Sequence, residues 1–102
     1  MNTGMNETAE NEVKYLKNPD VVVKEEEDGY ALLFNPDNDQ VRVLNRTGFY
    51  IWKLCKGTLG VSGIASRVQE AFEPAPDHDV KKDIEGYLDA MTHAGLIGIV
   101  DN

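Results

Sequence analysis

The chain is poor in the residues from which reactive sites are built. Its 102 residues include one cysteine, Cys55, and two histidines, His78 and His93. A single cysteine excludes an internal disulfide and is in keeping with a reducing cytoplasm, the expected localisation. Zinc sites draw three or four ligands at short spacings. These three residues are too few and too scattered to supply them, so no metal and no cofactor are expected. Cys55 falls on the apolar side of a helical pattern, which suppresses the thiolate that a nucleophile needs. His93 sits near a helix end, where a cation answers the helix dipole. The segment Lys56-Gly57-Thr58-Leu59-Gly60 lacks the Gly-Lys-Ser/Thr ending of a phosphate loop. No catalytic set emerges, and the chain reads as a binding module rather than an enzyme.

Basic charge is also scarce. Ten Lys and Arg face eighteen Asp and Glu, a formal net charge of −8. Nucleic-acid phosphates must be neutralised by Lys and Arg, so this balance disfavours nucleic acid, and an anionic membrane surface for the same reason. Long apolar runs are absent too. Nothing approaches the roughly 18 consecutive apolar residues of a membrane helix. Residues 1–18 carry Asn, Glu and Thr with few apolar side chains. They read as a disordered tail rather than a signal or transit peptide, with the folded domain spanning 19–102.

What the chain does have is clear periodicity. Val21 to Glu26 reads as a strand, and Asp28-Gly29 as a tight hairpin turn, since Gly tolerates positive φ. Tyr30 to Phe34 is the second strand, Asn35 to Asp39 a second turn, and Gln40 to Leu44 the third strand. The period then changes. Asn45 is positioned to cap a helix running to about Cys55. Val61, Ile64, Ala65, Val68, Ala71 and Phe72 recur at helical spacing until Pro74 and Pro76 stop them. Asp77 or Asp79 caps a third helix with an inward stripe of Val80, Ile84, Tyr87, Leu88 and Met91, ended by Gly95. Leu96 to Val100 closes the chain as an extended segment that could cover the first strand. The reading is an α+β, winged-helix-like domain: a three-stranded antiparallel sheet followed by three helices.

That order raises a DNA-binding regulator as the alternative function. The second helix carries only Arg67 as a base, however, and the third is net acidic. The outer strands of a meander also keep unpaired backbone groups. Strand one is protected by Lys24, Glu25 and Glu26. Strand three has Arg42 alone among Val41, Val43 and Leu44, and an extended peptide could add to it. It could equally be covered by a helix, or pair with its twin in a homodimer.

The series Leu44-Asn45-Arg46-Thr47-Gly48-Phe49-Tyr50-Ile51-Trp52-Lys53-Leu54, then Gly57, Val61 and Ile64-Ala65, resembles the PqqD family. So do Phe72, Val80-Lys81-Lys82-Asp83-Ile84, Leu88 and Gly95-Leu96-Ile97. The resemblance covers about residues 19–100. The chain departs from the family pattern at Lys56, Gly60 and Gly63, around the first interhelical loop. The resemblance implies a recognition element that binds the leader of a ribosomally made precursor peptide. It also implies presentation of that peptide to a modifying enzyme, often a radical S-adenosylmethionine (radical SAM) enzyme. The leader would add beside the third strand and pack on the third helix. The matching positions are Val41, Arg42, Val43 and Leu44, with Asp83, Ile84, Tyr87 and Met91.

Overall fold

The computed structural model describes residues 13–72 and 80–100. Among these residues, five strands and three α-helices follow in the order β1 (Lys14–Lys17), β2 (Val22–Glu25), β3 (Ala31–Asn35), β4 (Gln40–Leu44), α1 (Arg46–Lys53), α2 (Val61–Ala71), α3 (Val80–His93) and β5 (Ile97–Val100). The expected α+β order, a three-stranded antiparallel sheet and then three helices, is present. Its sheet is β2-β3-β4, with β3 central.

The ends of the chain depart from expectation. Lys14–Lys17, assigned by sequence to the tail, is a strand. It pairs antiparallel with β5, from Lys14 opposite Val100 to Lys17 opposite Ile97. Its other edge is held by the loop after α1, where Lys17 N donates to Cys55 O and Gly57 N to Tyr15 O. The C-terminal segment therefore covers β1, not the first strand of the meander. Residues 1–12 of the expected tail lie outside the described residues, as do His78, the proline stop and the Asp77/Asp79 cap.

The turns follow their chemistry. Asp28 and Gly29 both have positive φ (68° and 83°), as an Asp-Gly pair allows, and Glu27 extends the turn by one residue. The Asn45 side chain accepts from Gly48 N at 2.8 Å, which satisfies an orphan donor at the start of α1. Helix α1 ends at Lys53, slightly before the expected Cys55. At the end of α3, Gly95 takes φ 77°. Its N–H donates to Thr92 O, and Leu96 N–H donates to Met91 O, the paired bonds of a Schellman stop.

The core lies between the inner face of the sheet and the helices, with Leu33, Ile51, Ile64, Leu88 and Leu96 fully buried. Asn35 is the one buried polar residue among those described, at 2% exposure. Its Nδ2 donates to the carbonyls of Ala94 and Gly95, and its Oδ1 accepts from Asp37 N. Asn38 Nδ2 reaches Ala94 O as well, and Asn18 Nδ2 reaches Gly95 O. Three asparagines thus collect the orphan carbonyls at the end of α3. Asn35 and Asn38 tie the end of α3 to the β3–β4 hairpin, beside the cleft, and Asn18 ties it to the segment after β1.

Candidate functional site

The sheet has two edge strands, β2 and β4, and β4 is the one that runs beside α3. Which of its backbone groups face outward follows from the register. In an antiparallel ladder each residue turns its N–H and C=O to the same side, and the side alternates along the strand. Glu26 N donates to Tyr30 O at 2.7 Å, so Tyr30 faces β2. Leu32 and Phe34 then also face β2, whereas Ala31, Leu33 and Asn35 face β4. Their partners on β4 are Leu44, Arg42 and Gln40. Val41 and Val43 are left with their N–H and C=O directed away from the sheet.

The side chains divide the other way. Arg42 and Leu44 lie on the face shared with buried Leu33 and Ala31, the side on which the helices pack. Val41 and Val43 project from the opposite face, 58% and 65% exposed.

Beside this edge runs a cleft of about 170 Å³ between β4 and α3. It is lined by Arg42, Val43, Leu44, Tyr87, Ala90, Met91, Ala94 and Leu96. Tyr87, Met91 and Ala94 recur at helical spacing and form its helical wall. Leu44 and Met91 are buried and make the floor. Arg42 is the only charged group in the lining; its guanidinium donates to Gln40 Oε1 at 3.4 Å in an exposed setting. The Tyr87 hydroxyl packs against Gly48 on α1, where a Cβ would collide with it. Burial holds the Tyr87 phenol above its ordinary pKa.

Of the eight residues singled out from sequence, Arg42, Val43, Leu44, Tyr87 and Met91 converge on this cleft. Val41 stands on the same edge without lining it. Ile84 is buried in the core, and Asp83 is exposed on α3. Ala90, Ala94 and Leu96 were not foreseen. Small residues on a helix give no pattern signal, although the spacing from Tyr87 through Met91 to Ala94 would have found one of them.

Cys55 is fully buried, and its thiol donates to Ile51 O at 3.4 Å. Burial pushes its pKa from 9.0 up to about 12, with Lys17 offsetting a small part. This thiol is inert as a nucleophile at neutral pH. His93 Nδ1 donates to Asp89 O one turn earlier. Among the described residues, no group of three or more His, Cys, Asp or Glu could hold a metal ion, and no helix is long and apolar enough to cross a membrane.

The raised Cys55 pKa has a pH consequence. Above about pH 9 the thiol ionises in the unfolded chain while it stays protonated in the folded one. The unfolded state then binds fewer protons, so stability is full below about pH 9 and falls above it. The slope approaches ~1.4 kcal/mol per pH unit from this group. Tyr87 adds a fall of the same sign at higher pH. Urea unfolding between pH 8 and 10 measures this, and Cys55→Ala should flatten the fall whatever its effect on absolute stability.

The geometry defines a small sheet-first α+β domain with an open strand edge alongside an apolar, helix-walled cleft. The chain belongs to the PqqD family: the family model described as coenzyme PQQ synthesis protein D matches residues 30–97. No curated protein matches the chain. Its fold is similar to that of TbiB1, solved in complex with the TbiA(beta) leader peptide, with a TM-score of 0.67 and 18% identity over 80% of this chain and 93% of that one.

Proposed function

We propose that this chain is a non-catalytic recognition domain that binds the leader of a ribosomally made precursor peptide and presents it to a peptide-modifying enzyme in the cytoplasm. A radical SAM enzyme is the client that the family suggests. The observation that carries the reading is the outward N–H and C=O of Val41 and Val43 beside the cleft. An extended peptide can pair with these groups whatever its sequence. Alternate side chains of that peptide then turn toward α3 and meet Arg42, Leu44, Tyr87, Ala90, Met91, Ala94 and Leu96. Membership of the PqqD family and a fold shared with a protein solved with a leader peptide support the same reading.

The lining also states what the peptide should carry. A cavity of about 170 Å³ with an apolar floor fits one large aliphatic or aromatic side chain. Arg42 at its mouth favours an acidic residue nearby, despite the acidity of the whole domain. Ile84 backs the wall from the core rather than touching the peptide.

Titration of isotope-labelled protein with its cognate precursor peptide tests this. Amide shifts are expected at Val41, Val43, Tyr87 and Ala90, with the Val41 and Val43 amides slowed in exchange. No shift along β4 and α3 at high micromolar peptide would end the proposal for that peptide.

A further inference from the structure

The face of the sheet turned away from the helices is apolar. Cross-strand partners share a face, so Val22, Phe34 and Val41 form one row on it, and Lys24, Leu32 and Val43 a second. Val22, Val41 and Val43 are each more than half exposed. Leu32 and Phe34 are half-buried yet do not belong to the core or pack against it. A contiguous apolar patch of this kind marks an interaction surface.

Its rim selects the occupant. Glu26, Glu27 and Asp28 stand at one end of the sheet, and Asp37 and Asp39 at the other. The cations nearby are few and engaged. Lys24 lies 3.8 Å from Glu26, and Arg46 donates to the Asp28 carbonyl. Stacking a second copy face to face would set acidic turns against acidic turns at both ends, in either orientation. A different protein with an apolar patch flanked by Lys and Arg meets neither obstacle.

We propose that this outer sheet face docks the peptide-modifying enzyme through a basic-rimmed apolar patch, and that the bound leader enlarges the docking face. The inference rests on the strand-addition reading above. A strand added to β4 would continue both rows by one residue each, because its side chains alternate like those of the sheet. Enzyme and leader therefore strengthen each other's binding, by the same factor in each direction.

Biolayer interferometry tests this with the purified full chain and its cognate peptide-modifying enzyme, with and without the precursor peptide. Val22 lies two strands from the peptide edge, so Val22→Lys should weaken enzyme binding at least tenfold and leave peptide binding within twofold. Glu27→Lys with Asp37→Lys should slow association and reduce its salt dependence. Peptide should tighten enzyme binding to the wild type. Unchanged enzyme affinity in Val22→Lys overturns the proposal, as does an enzyme that binds no better with peptide than without. A wild-type dimer in sedimentation that Val22→Lys converts to a monomer overturns it in favour of a second copy. Each of these outcomes leaves the peptide titration standing, whereas loss of peptide binding in the wild type would remove the strand-addition reading itself.

Discussion

Val43→Pro should abolish peptide binding and leave the domain folded. The N–H of Val43 points off the free edge, so proline removes no bond of the β3–β4 ladder. Proline is tolerated on edge strands for this reason, and the extended conformation it imposes on Arg42 is the one a strand residue already has. For an incoming strand the change is severe. One donor disappears, and the pyrrolidine ring occupies the space into which the partner's carbonyl must come. A loss of at least ~100-fold is expected, equivalent to about 2.7 kcal/mol, with the thermal midpoint changed by only a few degrees. Val43→Thr, which keeps the N–H and the β-branch, should stay within about threefold of wild type. Calorimetric titration and circular dichroism measure the two halves. A proline variant that is folded and binds normally would falsify strand addition at this edge.

Gly48→Ala should damage the cleft from a helix that does not line it. The methyl would take the place of the Tyr87 hydroxyl, which packs on the bare Cα of Gly48. Tyr87 must then swing out of its present rotamer, and it is part of the cleft's wall. Stability should change little. Alanine gains roughly 1 kcal/mol over glycine within a helix, against the packing lost by a half-buried ring. Peptide affinity should fall about tenfold or more. The effect is transmitted by a single side chain, so the Gly48→Ala/Tyr87→Ala double variant should bind no worse than Tyr87→Ala alone. Full additivity of the two losses would show that Gly48 acts by another route.

The meander and the helices were legible because their signals are local. Asp28-Gly29 and Asn45 announce a turn and a cap, and the stripe from Val80 to Met91 repeats at helical spacing. β1 was not legible. Lys14-Tyr15-Leu16-Lys17 is four residues long, and its partners are 80 or more residues away on one side and in the loop after α1 on the other. Nothing within its own segment marks it. The open third strand could be named from its composition. Which of its groups point outward could not, because that depends on the register and on one hydrogen bond at Glu26. The same limit divides the helix residues. Sequence periodicity placed Ile84, Tyr87 and Met91 on one stripe. The packing of α3, whose end is held by the asparagine cluster around Ala94 and Gly95, buries Ile84 and leaves a cleft beside Tyr87 and Met91.

The pairing of β1 with β5 places Lys14 directly across from Val100. The described domain therefore enters and leaves at one spot, like a bead on a loop of thread. A host protein could receive residues 14–100 in a surface turn while its own strands or helices on either side stay where they were. The same adjacency allows a short linker from Val100 back to Lys14, with new ends opened in the exposed turn of residues 36–39. The two designs differ in one respect that matters here. The first leaves the β4 edge free, and the second cuts the chain immediately before it.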